Sequence, residues 1–309
     1  MRRCAALALL LAAAVAAAGC GVGAGSAPPD TRLTVTENFG ARNLRRIDAP
    51  KVRGDETVMR LLQRNLRVTT RYGGGFVQSI DGLRGGIEGG RPVDWFYYVN
   101  GIEAPRGAAS TRLHPGDRVW WDRHDWGAAQ RVPAVVGSFP EPFLHGIDGK
   151  RLPTRVECAD PAARVCDEVA NRLTALGVPA ARGGLRAAAV EQTLRVVVGR
   201  WRALRGDPLL DTLERGPQAS GVYARISRDG RRIAVLDPRG RTVRTLGAGT
   251  GLIAATAAED ERPVWVVTGT DDAGVAAAVR GFEEGTLDAR FALAVSHDLP
   301  VSLPEVARR

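Results

Sequence analysis

The residues of this 309-residue chain that could do chemistry fall into three groups. Aromatics make up only 6% of it, yet seven lie in two short segments: Trp95, Phe96, Tyr97 and Tyr98, then Trp120, Trp121 and Trp126. Rings gathered this way suit stacking on a flat or bulky ligand. Beside them stands a polar run, Asp122-Arg123-His124-Asp125. Strand alternation puts Asp122 and His124 on one face and Asp125 on the other. Two ligands are too few for a metal centre, so none is assigned and the run reads as a polar loop at a strand end. The third group is the histidines, His114, His124, His145 and His297. None sits in a nucleophile motif, and no nucleophile elbow, S-x-x-K or H-E-x-x-H pattern occurs. The chain is therefore expected to bind rather than to catalyse, with hydrolysis of an envelope polymer the enzymatic alternative. The candidate binding residues are Trp95, Tyr97, Tyr98, Asn100, Trp121 and His124.

The cysteines give an address. Met1-Arg2-Arg3 precedes an uncharged run ending in Ala17-Ala18-Gly19-Cys20, which reads as a signal peptide over 1–19. Small residues directly before Cys20 resemble the lipobox of bacterial lipoproteins, although Ala17 stands where Leu is usual. That resemblance implies a lipidated Cys20, an exported protein held at the outer face of the cell membrane, and a tether over 20–30. The competing reading is cleavage at an A-x-A site and secretion of a soluble protein. Cys158 and Cys166 remain as an even pair in an oxidising compartment, which favours a disulfide. Eight residues of continuous helix would part them by about 12 Å, so Cys158 must precede the helix that holds Cys166.

The elements that must position the rings span 31–132. Leu33-Thr34-Val35-Thr36 alternates as a strand. Gly54-Asp55-Glu56-Thr57 opens a helix with acidic residues in its first turn, and Val58, Leu61, Leu62 and Leu66 follow at helical spacing. Val68–Tyr72, a Gly73-Gly74-Gly75 turn and Phe76–Ile80 form a further strand pair. Trp95–Val99 is the strongest strand signal and Asn100-Gly101 a hairpin turn. One helix among several strands predicts a β-grasp-like α+β module. Here Val77-x-Ser79-Ile80-x-Gly82, Trp95-x-Tyr97-x-Val99-Asn100-Gly101 and Leu113-x-Pro115-Gly116-Asp117-x-Val119-x-Trp121 together resemble the transcobalamin-like C-terminal domain. The resemblance covers about a third of the chain. It implies the fold and a tendency to bind without fixing the ligand; a corrinoid or other bulky cofactor handed to a membrane permease is the sharpest version of that role. An envelope polysaccharide or protein adaptor is the rival role. Alternation puts Trp95, Tyr97 and Val99 on one face and Phe96 and Tyr98 on the other; one face should pack on the helix and the other leave its rings near solvent.

Residues 133–153, with four prolines, read as an inter-domain linker partly laid on a surface. From 154 to 309 strands and helices alternate, predicting an α/β domain with a mixed sheet. Its Gly269-Thr270-Asp271-Asp272-Ala273-Gly274 turn lacks phosphate-loop spacing, and its aspartates suit helix capping.

Composition bounds these readings. With 44% hydrophobic and 25% charged residues the chain can build real cores, and disorder is excluded as its main state. No apolar run after residue 20 approaches the length of a membrane span. The net charge is +9, and all but two of the 43 basic residues are arginine. They look scattered along the chain, so no nucleic-acid partner is expected.

Overall fold

The computed structural model describes residues 31–49, 56–185, 192–258 and 261–307. Cys20, the signal segment and the tether lie outside the described residues. The architecture is a mixed α+β one in which two modules share a core.

The first module holds β1 (Thr31–Glu37), β2 (Arg42–Ala49), α1 (Val58–Asn65), β3 (Val68–Arg71), β4 (Phe76–Ile80), β5 (Leu83–Arg84), β6 (Gly86–Glu88), β7 (Arg91–Val99), β8 (Ile102–Glu103) and β9 (Arg118–Asp125). Its main sheet runs β2-β1-β9-β7-β6, with β8 on β7; β3, β4 and β5 form a second small sheet. β1 and β9 are parallel, and the other pairs are antiparallel. Helix α1 buries Val58, Met59, Leu61 and Leu62 on one side. They meet Leu33, Val35, Trp95, Val119 and Trp121 in one core. Its cap differs from the sequence expectation. Thr57 caps the helix by accepting from the Arg60 N–H at 3.2 Å, and no acid lies in the first turn. Glu56 pairs instead with Arg64 at 2.9 Å, and Asp55 lies outside the described residues.

The second module holds β10 (Thr154–Cys158), α2 (Arg164–Ala175), β11 (Ala180–Gly184), β12 (Leu194–Arg200), α3 (Trp201–Leu204), α4 (Pro217–Ser220), β13 (Ala224–Ile226), β14 (Ile233–Leu236), β15 (Thr242–Leu246), β16 (Gly251–Thr256), β17 (Val264–Gly269), α5 (Asp272–Gly281), α6 (Glu284–Leu287), β18 (Ala292–Ser296) and β19 (Leu299–Leu303). Its seven-stranded sheet runs β11-β10-β12-β17-β16-β18-β19, parallel from β11 to β17 and antiparallel beyond. β13, β14 and β15 make a separate antiparallel sheet. The Val196–Val198 and Val264–Val267 runs are buried on both faces, as parallel strands between two layers must be.

One face of the seven-stranded sheet packs on α2 and α5. Phe139 and Phe143 join that layer, against Trp265 and Phe282. Residues 133–153 do connect the modules, but they do not lie on a surface: Val135, Val136, Phe139 and Phe143 are all buried. Apolar side chains in this proline-rich stretch have filled the space between layers. The other sheet face packs on the first module, whose Phe39, Tyr98 and Trp120 enter one core with Val197, Tyr223, Leu252 and Phe291. Gly40 sits at this junction with φ +79°, where a Cβ would overlap the Ala289 carbonyl.

Candidate functional site

Alternation along β7 divides the rings as their spacing predicts. Trp95 and Trp121 are buried beneath α1, with Tyr97 stacked on Trp121 at 4.8 Å between centroids. The Trp95 indole donates to the Leu83 carbonyl at 3.1 Å. Tyr97 is half-buried, with its hydroxyl beside the Arg106 carbonyl and 2.8 Å from the Thr111 hydroxyl.

The opposite face departs from expectation. It does not turn to solvent, because the second module covers it. Tyr98 is fully buried, and Phe291 lies edge-on to Tyr98, Trp120, Phe39 and His124 at 5.1–5.6 Å. Burial pushes the Tyr98 phenol well above its ordinary pKa. Of the six candidate binding residues, five are buried and Tyr97 is half-buried, so they line no open binding face.

The Asp122–Asp125 run is likewise no loop. It forms the end of β9, and its residues are buried. Asp122 accepts from the Phe39 and Gly40 N–H groups at 3.0 and 2.9 Å, from the Thr36 hydroxyl at 2.5 Å, and lies 2.8 Å from His124 Nδ1. The His124 ring sits between Phe39 and Phe96, each 4.5 Å away. This saturated network pins the β1–β2 turn to β9 and leaves the carboxylate little capacity for a ligand. No group of three His, Cys, Asp or Glu residues among the described residues is arranged to hold a metal ion.

Asn100 occupies the Asn-Gly turn with φ +54°. Its amide donates to Asp117 Oδ1 and to the Gly146 carbonyl, both at 2.8 Å, and its oxygen accepts from the Arg118 N–H. It thereby ties two turns of the first module to the inter-module segment. Burial raises the Asp117 pKa, and bonds from the His114 N–H and Asn100 partly oppose that rise. In the second module the disulfide forms between Cys158 at the end of β10 and Cys166 in α2, with Cα atoms 6.1 Å apart. Asp271 caps α5 by accepting from the Gly274 N–H at 2.8 Å, as read from the sequence.

Open chemistry lies elsewhere. At the tip of the β3–β4 hairpin, Tyr72 is 85% exposed and Phe76 37% exposed, with ring centroids 6.3 Å apart and edge-on. Gly73 and Gly74 turn the chain between them with φ +68° and +95°, values that favour glycine. Ile87 is exposed on β6, an edge strand of the main sheet. The signal for this site was present in the Tyr-Gly-Gly-Gly-Phe string, which reads as a turn until its rings are placed. A cavity of about 260 Å³ lies in the second module, lined by Glu157, Arg195, Asp207, Val197, Leu204 and Leu210. There Glu157 grips Arg195 through two hydrogen bonds, at 3.1 and 2.9 Å, and Asp207 takes a third at 3.0 Å.

Comparison with known proteins finds a similarity confined to the first module. Residues 55–125 match the family described as a domain of unknown function (DUF4430), a transcobalamin-like family. The match takes in α1 and β3 to β9, including the hairpin tip and all of the clustered rings but Trp126. A similar solved structure comes from Ruminococcus gnavus and is described as "a putative metal binding protein"; it is 14% identical, with a TM-score of 0.25, over 31% of this chain and 96% of its own. No curated protein matches the chain.

Proposed function

We propose that this chain is an exported, lipid-anchored binding protein whose transcobalamin-like module meets a bulky ligand with the β3–β4 hairpin. In this reading acylated Cys20 holds the protein at the outer face of the cell membrane, where it would serve an uptake permease. The observation that carries the reading is the open ring pair, Tyr72 and Phe76, in a module whose central rings are consumed by packing. Two exposed rings set close together on one hairpin offer a face on which a bulky ligand can stack. A corrinoid is the sharpest version of the ligand, and its macrocycle would lie on this outer surface, since the 260 Å³ cavity is too small for it. The protein acts by binding rather than by turnover.

Titration of the purified chain with cyanocobalamin, followed by calorimetry, tests this. Micromolar binding is expected, weakened at least about tenfold by the Tyr72→Ser, Phe76→Ser double change, a loss of about 1.4 kcal/mol. Absence of binding at any soluble concentration defeats the corrinoid version. The second reading, an envelope-protein adaptor, is favoured by exposed Ile87 on edge strand β6, which leaves backbone groups free for a partner strand. Its sign would be partner capture lost on Ile87→Lys and indifferent to corrinoid.

A further inference from the structure

The arginines that look scattered along the sequence are concentrated in one stretch. Residues 200–246 hold eleven arginines against five acidic residues, six of the chain's nine net positive charges. Four of the eleven are neutralised in ion pairs: Arg200 with Asp272, Arg205 with Glu214, Arg241 with Asp237 and Arg244 with Glu305. Six others, Arg202, Arg215, Arg228, Arg231, Arg232 and Arg239, are exposed, and their side chains make no hydrogen bond or ion pair among the described residues.

The fold gathers these six around the β13–β15 sheet. Gly230, at φ +70° in the turn between β13 and β14, lies so close to Arg202 that a Cβ there would stand 3.0 Å from its Cγ. Arg202 thus crosses the turn that carries Arg228, Arg231 and Arg232. Midway along β13, Arg225 packs on Gly216 and donates to the Gly240 carbonyl in the β14–β15 turn, at the other end of the sheet, which brings Arg215 and Arg239 together there. The outer row between the two ends is Arg225, Ala234 and Thr245, with no acid in it. The one acid in the Gly230 turn, Asp229, accepts from the Ser227 hydroxyl and the Arg231 N–H, and its single charge offsets the Arg231 and Arg232 pair only in part.

Like charges held this close repel one another unless a counter-anion spans them, and the guanidinium fork matches phosphate oxygens. We infer that the β13–β15 sheet is a docking face for an anionic phospholipid surface, its two arginine groups each meeting headgroup phosphates. A basic band at both ends of a small sheet suits a planar, laterally mobile array of charges. Nucleic acid fits less well, because the outer row offers no ring on which a base could stack. The inference is independent of the hairpin and of any acyl chain, although an anchor would raise the local headgroup concentration.

The test uses the chain from Gly21 onward, which keeps every described residue and carries no acyl anchor. Co-sedimentation with vesicles of 30% phosphatidylglycerol in phosphatidylcholine is expected, and none with pure phosphatidylcholine (proportions of roughly this order suffice). Changing Arg202, Arg228, Arg231 and Arg232 together to Gln should weaken vesicle binding by at least about tenfold, and raised salt should do the same. Changing Arg60, Arg67, Arg84 and Arg112 to Gln removes equal charge elsewhere and should alter it by no more than about twofold. Equal losses in the two variants, or full binding by the first, would overturn the assignment. Tighter retention on single-stranded DNA than on vesicles, lost in the first variant, would overturn it in favour of a nucleic-acid partner. Cyanocobalamin titration of the same variant should be unchanged, which separates failure here from failure of the ligand reading.

Discussion

Glu103 is a carboxylate whose charge the fold opposes. It stands on β8 where the inter-module segment begins to pair, its N–H donating to the Pro133 carbonyl. Burial pushes its pKa up to about 7, against the partial restraint of Arg131. A carboxyl raised in the folded state binds more protons folded than unfolded through that window. Its contribution is therefore most favourable below about pH 4.5 and is lost as pH rises towards 7, after which it stays constant. The whole excursion amounts to roughly 3 kcal/mol. Denaturant unfolding across pH 4.5–8 should show this fall, and Glu103→Gln should flatten it and raise stability at pH 8; an unchanged slope would refute the assignment. Nothing in the local sequence foretold this, since Ile102-Glu103 reads as an ordinary strand after a turn. Asn100 was legible for the opposite reason: Asn-Gly demands a tight turn whatever surrounds it. Its buried bonds to Asp117 and Gly146 reach 17 and 46 residues along the chain, and no local pattern encodes them.

At the scale of elements, period-two alternation in Trp95–Val99 split the rings into two opposite sets, because the pleat leaves no other arrangement. What alternation could not say is what would lie against the second face. The same limit applied to Asp122 and His124, which share a side as expected but are buried, His124 against Phe291 of the other module. The disulfide was the reverse case, since helix rise alone required Cys158 to sit ahead of α2. That bond spans a sequence separation of 8 and joins the first strand of the large sheet to the helix covering it. Closing so short a loop should contribute about 2.5 kcal/mol on chain-entropy grounds. The Cys158→Ala, Cys166→Ala pair should lower unfolding free energy by that order, read from urea midpoints with and without reductant. Reductant should leave the double variant unaffected and destabilise the parent chain. If parent and variant melt together under oxidising conditions, the bond contributes nothing.

For the whole molecule, the consequence of the covered aromatic face is that two modules legible as separate units in the sequence share one core. Ion pairs cross the junction between Arg46 and Asp288 and between Arg118 and Glu284, both at 2.7 Å, but exposed pairs of this kind contribute little. Apolar contact decides the matter, and its hub is Phe291. That ring comes from the loop before β18 and lies against Phe39, Tyr98, Trp120 and His124, all of the first module. Were the modules independent, removing it would loosen only the second. Sharing a core, they should unfold together, and Phe291→Ala should destabilise the whole chain by about 3–5 kcal/mol through the cavity it leaves. Tryptophan fluorescence reports Trp95, Trp120, Trp121 and Trp126 in the first module as well as Trp201 and Trp265 in the second, while far-UV circular dichroism reports both sheets. The two signals should shift together to lower urea in the variant and remain superimposable. A split into two transitions, with the first module unmoved, would mean the junction is a contact between independent domains. The central rings would then be only loosely covered, and the ligand face would have to be sought there again rather than at the hairpin.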